Sequence, residues 1–84
     1  MSMTNVTIYS ADWCGYCRAV KAYLVQKGIA FTEKNVEEKP EYADEAVAKS
    51  GQRGIPVVDI DNVIIVGFDR AAIDATLQEK NITN

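Results

Sequence analysis

The sequence predicts an α/β fold of order β-α-β-α-β-β-α, in which a four-stranded mixed sheet is flanked by three helices and all 84 residues form one domain. Three observations predict it. Short runs rich in strand formers alternate with longer segments whose apolar residues recur at helical spacing. The last two strand-like runs are separated only by Asp61-Asn62. Glycine and proline fall at the edges of these segments.

The elements follow in order. Val6-Thr7-Ile8-Tyr9 alternates and reads as a first strand. A turn from Ser10 leads into a helix from about Gly15 to Lys27, with Val20, Tyr23, Leu24 and the stem of Lys27 on its apolar side. Gly28 stands where a left-handed carboxyl-terminal cap is wanted. Residues 30–36 (Ala-Phe-Thr-Glu-Lys-Asn-Val) read as a second strand. Pro40 suits the first turn of a second helix, because its missing N–H has no partner there anyway. On that helix Tyr42, Ala43, Ala46 and Val47 are expected inward. Glu45 and Lys49 are expected outward as an i, i+4 ion pair. Gly51 ends it. Pro56 to Ile60 and Val63 to Val66 read as a hairpin, since Asp61 and Asn62 both tolerate positive φ. The last helix runs from about Asp69 to Lys80, with Ala72, Ile73, Thr76 and Leu77 inward. A helix joins the first two strands, so they should be parallel with a right-handed crossover; the hairpin strands should be antiparallel.

Composition narrows the function classes. The chain is 48% hydrophobic and 25% charged, as in soluble globular proteins. A net charge of −3 offers no basic patch for nucleic acid or anionic lipid. No apolar run approaches the roughly 18 residues of a membrane helix. Met1-Ser2-Met3-Thr4-Asn5 has neither the basic nor the apolar part of a signal peptide, so a cytoplasmic location is expected, and nothing in the sequence demands more than a monomer.

In a reducing compartment, two close cysteines point to catalysis or metal rather than to a staple. With no histidine and only two thiols, one chain cannot build a common Cys₄ or Cys₂His₂ zinc site, so no metal site is expected. Cys14 and Cys17 instead open the first helix three residues apart. A thiolate, not a thiol, attacks a disulfide, and the start of a helix offers unpaired N–H groups and a positive dipole end to negative sulfur. Cys14 is therefore expected to be the exposed, low-pKa nucleophile. Cys17, one turn on, is expected to be the more buried thiol that resolves the mixed disulfide. Gly15 should let backbone N–H groups approach the sulfur. Trp13 and Tyr16 should offer flat apolar surface. Asp12 opposes a thiolate, and Arg18 and Lys21 should partly offset it. Pro56 begins the third strand, and a cis bond there would turn the Ile55 N–H and C=O toward the dithiol.

Trp13-Cys14-Gly15-Tyr16-Cys17, Ile55-Pro56 and Gly67-Phe68-Asp69 together resemble the glutaredoxins of the thioredoxin superfamily, over nearly the whole chain from Val6 to Leu77. The resemblance implies a thioredoxin fold, a cis Pro56 and thiol–disulfide oxidoreductase activity. It implies no bound cofactor, with glutathione or another low-molecular-weight thiol as co-substrate. Gln52-Arg53 looks like the family segment that holds the glutathione glycine carboxylate. Ile55 would pair with the cysteinyl part, and Phe68 and Asp69 would receive the γ-glutamyl end. Three positions depart from the family pattern: Ala11 replaces a common lysine, Gly54 a threonine, and Val66-Gly67 a Gly-Gly pair. Gly67-Phe68 also resembles redoxins that serve ribonucleotide reductase and are reduced by thioredoxin reductase. The Trp-Cys-Gly-Tyr-Cys run is shared with mycoredoxins, which use mycothiol. The partners implied are glutathione or thioredoxin reductase, and oxidised or glutathionylated proteins, ribonucleotide reductase among them. A non-enzymatic alternative is an iron–sulfur carrier or a redox-sensing binding module.

Overall fold

A computed structural model describes residues 6–80; residues 1–5, read above for a targeting signal, and residues 81–84 lie outside the described residues. The elements are β1 (Val6–Ser10), α1 (Gly15–Gln26), β2 (Thr32–Asn35), α2 (Pro40–Ser50), β3 (Val57–Ile60), β4 (Val63–Val66) and α3 (Arg70–Glu79). Their order in the sheet is β2-β1-β3-β4. β1 and β2 run parallel, and β1–β3 and β3–β4 run antiparallel, as the connections require. The β3–β4 turn has Asp61 at φ 51° and Asn62 at φ 73°. Two successive positive φ angles match the twist of a two-residue hairpin. The Asn62 N–H also donates to Asp59 Oδ1 at 2.8 Å, which fixes the turn to its own strand.

The strand period of two separates the core into two layers. On one face Val6, Ile8, Val58, Ile60 and Ile65 meet Val20 and Leu24 of α1 and Ile73 and Leu77 of α3. On the other, Tyr9 and Val57 meet Ala46 of α2. Each helix end carries the signal expected of it. Pro40 opens α2, Gly28 follows α1 at φ 74°, and Asp69 Oδ1 accepts from the Ala72 N–H at 3.1 Å to cap α3.

Four expectations are corrected. The second strand is Thr32–Asn35 rather than residues 30–36, because its pairing with β1 begins at Thr7↔Thr32 and ends at Ser10↔Asn35. Pro56 precedes β3 instead of belonging to it. Val47, expected inward, keeps 39% of its surface. Glu45 and Lys49 do not pair with each other: Glu45 takes Lys34 at 2.8 Å and Lys49 takes Asp59 at 2.9 Å. α2 lies over the sheet face that carries Lys34, Tyr9 and Asp59, so partly buried partners across the interface outcompete a solvated pair along the helix. The Tyr9 hydroxyl donates to Glu45 at 2.8 Å. Burial, and then Glu45 beside it, push that phenol well above its usual titration range.

Glu33 ties the opposite side of the sheet to α1. Its carboxylate accepts from Lys21 Nζ at 2.7 Å and from Ser10 Oγ at 2.5 Å. These contacts, Lys21 first, hold it below the ordinary carboxylate range. A depressed folded value contributes stability that is present above the ordinary range and lost as pH falls through the depressed one. Urea midpoints should therefore separate wild type from Glu33→Gln more at about pH 7 than at about pH 3. An equal gap at both would show that the Glu33 charge adds nothing.

Candidate active site

Cys14 is the N-cap residue of α1, in extended conformation at φ −89° and ψ 110°. Its N–H donates to the Ala11 carbonyl at 3.2 Å, which closes the turn after β1, and the Arg18 N–H donates to the Cys14 carbonyl at 3.3 Å. This leaves its sulfur over the first turn, where the Cys17 N–H donates to Cys14 Sγ at 3.1 Å. The first turn of α1 holds no acidic residue to cancel the dipole. An N–H group and the positive end of the helix thus face this sulfur, the surroundings that favour a thiolate over a thiol.

Cys14 and Cys17 are joined as a disulfide, with Cα atoms 5.2 Å apart. They pack with Ala11 and are walled by Val36 and Ile55. Cys17 has no exposed surface and Cys14 retains 6%. The predicted order of accessibility holds, but Cys14 is far less exposed than expected, because the tight turn and the Cys17 contact draw it against the helix. The exposed surface beside it belongs to Trp13 (68%) and Tyr16 (71%). Trp13 is steered by Glu37, which accepts from its Nε1 at 2.9 Å.

A Cβ built on Gly15 meets nothing within 4 Å beyond its chain neighbours and its own helix backbone, so no packing from elsewhere in the fold requires glycine there. Gly15→Ala should therefore stabilise the fold by up to about 0.5–1 kcal/mol, read as a higher urea midpoint. A lower midpoint would reveal a constraint at that position. Lys21 is committed to Glu33, and Arg18 donates to the Asp12 carbonyl at 2.8 Å. The Asp12 carboxylate accepts from Asn35 Nδ2 at 3.0 Å instead. Neither cation pairs with the Asp12 carboxylate, because each finds another acceptor within reach.

The second wall of the site is the loop before β3. The Ile55-Pro56 bond is cis, and Pro56 is buried. Among the described residues, the Ile55 N–H and C=O have no hydrogen-bond partner. The Pro56 carbonyl accepts from the Gly67 N–H at 2.8 Å, which brings the loop after β4 alongside; Gly67 sits there at φ 81°. Gln52 turns its amide into its own loop, donating from Nε2 to Ser50 Oγ at 3.0 Å and to the Gly54 carbonyl at 2.9 Å. Arg53 is exposed, beside Val36, Val47 and Ile55. Phe68 packs edge-on to Tyr23, ring centroids 5.7 Å apart, so its side chain is committed to the α1–α3 seam. Asp69 caps α3 with one oxygen and is otherwise exposed. Sequence reasoning missed Glu37 as the partner of Trp13 and Val36 as a wall of the dithiol, since Val36 looked only like a strand end.

Among the described residues, no cluster of three or more His, Cys, Asp or Glu could hold a metal, and no helix is long and apolar enough to cross a membrane. A dithiol at a helix start, walled by a cis-proline loop on a β2-β1-β3-β4 sheet, defines a thiol–disulfide oxidoreductase of thioredoxin fold. Comparison with known proteins agrees. The glutaredoxin family model matches residues 6–65, and the chain belongs to the glutaredoxin family. A glutaredoxin-like 8.6 kDa protein of the Clostridium pasteurianum rubredoxin operon is 39% identical over 74 residues, covering 88% of this chain and 99% of the relative. Glutaredoxin 3 of Escherichia coli K12 is 36% identical over 74 residues, covering 87% and 89%. The structure of the glutaredoxin-like NrdH-redoxin of Escherichia coli, described as having a thioredoxin-like activity profile, aligns with a TM-score of 0.75 at 34% identity, covering 84% and 92%.

Proposed function

We propose that this chain is a cytosolic dithiol reductase that acts on protein disulfides and glutathione mixed disulfides and is itself recharged by glutathione. The Cys14 thiolate attacks a sulfur of the substrate disulfide. That S–S bond breaks, the departing thiolate takes a proton from water, and a Cys14–substrate disulfide remains. Cys17 then loses its proton and attacks Cys14 Sγ, releasing the second substrate sulfur as a thiol. The substrate gains two electrons and two protons, and the protein is left with the Cys14–Cys17 disulfide. Two glutathione molecules reverse that oxidation and leave as glutathione disulfide.

The observation that carries this reading is the Ile55-Pro56 wall against the dithiol, with an unpaired backbone edge at Ile55. Such an edge suits an extended thiol peptide. Arg53 lies two residues before Ile55, and Gly67-Phe68-Asp69 is tied to Pro56 on the other side. In this reading Arg53 takes the glycine carboxylate, Ile55 the cysteinyl backbone, and the Phe68 backbone with Asp69 the γ-glutamyl end. Gln52 serves by bracing the loop, since its amide is already bonded there. Asp69→Asn keeps a good cap while removing the charge that would meet the ammonium. Its KM for glutathione should rise several-fold with little change in folding stability. An unchanged KM would remove Asp69 from the groove.

A second reading keeps the chemistry and changes the donor to thioredoxin reductase, with ribonucleotide reductase among the substrates. Ala11 in place of a groove lysine, the occupied Gln52 amide and the likeness to NrdH-redoxin favour it. NADPH consumption with glutathione and glutathione reductase, with thioredoxin reductase, and with mycothiol as a third arm separates the donors. Turnover in the glutathione arm supports the first reading; turnover only with thioredoxin reductase replaces it.

A further inference from the structure

Beside the dithiol, between α2 and the loop before β3, lies a groove of about 180 Å³ lined by Val36, Ala43, Ala46, Val47, Arg53 and Ile55. Val36 and Ile55 also wall the cysteine pair, so the groove begins where the reacting sulfurs end. Its floor and sides are aliphatic. Its one charged lining group is Arg53, which among the described residues makes no ion pair or hydrogen bond. Glutathione would meet only the Arg53 rim of this groove, because the tripeptide ends one residue after its cysteine, and that residue is a glycine with no side chain to enter the aliphatic part.

We propose, resting on the docking of a target cysteine along Ile55 with the chain beyond it running toward Arg53, that the groove selects protein substrates. It takes an apolar side chain two residues after the target cysteine, with an acidic residue next in line. Side chains of an extended segment alternate between faces, so the residue that shares the cysteine's protein-facing side is the second one on. Burial of an aliphatic side chain against Val36, Val47 and Ile55 supplies the preference. The next side chain starts on the outer face, so only a long one folding back over the rim meets the exposed, unpaired Arg53 guanidinium, which there favours a carboxylate and disfavours a lysine. The occupant is an extended segment of a protein disulfide, held by backbone pairing at Ile55 and read at one pocket.

Peptides whose cysteine carries a thionitrobenzoate disulfide test this with the reduced full chain. Attack of Cys14 on the peptide sulfur breaks that S–S bond and expels the thionitrobenzoate anion, which is read by its colour; its low thiol pKa makes it the leaving group. Cys-Ala-Leu-Glu should react about tenfold faster than Cys-Ala-Gly-Glu, which corresponds to about 1.4 kcal/mol. Cys-Ala-Leu-Glu should also exceed Cys-Ala-Leu-Lys by about threefold, a margin that closes in Arg53→Ala and at high salt. Val47→Asp, at a part-exposed position, should bring the leucine-to-glycine ratio near one. A ratio near one in the wild type, or a full ratio persisting in Val47→Asp, would overturn the groove. Leucine preference seen only when the residue precedes the cysteine would overturn the chain direction. Equal release by Cys14→Ser would instead overturn Cys14 as nucleophile.

Discussion

Replacing Cys14 with serine is expected to lower turnover of a glutathione mixed disulfide by about a thousandfold or more, because a hydroxyl at this position is neither ionised nor soft enough to attack sulfur. The helix start that stabilises a thiolate cannot rescue it: one N–H at 3.1 Å and a dipole end cannot bring a serine hydroxyl within reach of ionisation near neutral pH. Cys17→Ser is expected to differ in kind. It leaves the attack intact and removes the intramolecular exit, so intact-mass measurement should find the variant carrying one substrate thiol on Cys14 after exposure to an oxidised protein. Turnover with glutathione mixed disulfides should persist in Cys17→Ser, since a second glutathione can release the first. Comparable losses in both variants, with no trapped adduct in Cys17→Ser, would contradict the division of labour between the two sulfurs.

Leu24→Ala is expected to destabilise the fold by about 2–5 kcal/mol. Leu24 is fully buried where α1, the helix that presents the dithiol, packs on the sheet among Val20, Ile8, Ile73 and Leu77. Truncation loses the buried methyl groups and leaves a cavity that rigid strands on one side cannot fill. For a chain of this size the midpoint of thermal unfolding should fall by at least about 10 °C. Val25→Ala, next in sequence and 66% exposed, should move stability by no more than about 0.5 kcal/mol. Together the two variants separate the burial of α1 from its helix propensity, since both replacements improve the latter.

Much of the fold was legible because local chemistry and global topology agree. Asp61-Asn62 could adopt two positive φ angles, and does, so the hairpin and its antiparallel register follow from two residues. Asp69, Pro40 and Gly28 mark helix ends by mechanisms confined to one turn. The dithiol was legible for the same reason: Cys14 at a helix start and Cys17 one turn later need only α1 to bring them together.

What was not legible depends on surfaces meeting. Glu45 and Lys49 have the spacing of a helix ion pair, yet each finds a partner on the sheet, and only the placement of α2 over Lys34 and Asp59 decides it. Lys21 could have served the active site but closes on Glu33. Gln52 has the chemistry of a ligand residue and spends it bracing a turn. The groove at Arg53 is assembled from α2, the residue that follows β2 and the loop before β3, none of which carries a motif for it.

The most direct measurement is limited alkylation of the fully reduced wild type with iodoacetamide across pH, followed by peptide mapping to assign label to each cysteine. Cys14 should be labelled first, at pH values well below those at which an ordinary thiol reacts, with Cys17 protected until the chain unfolds. Earlier labelling of Cys17, or a Cys14 that reacts only in the ordinary thiol range, would contradict the assignment of Cys14 as the thiolate nucleophile held by the start of α1.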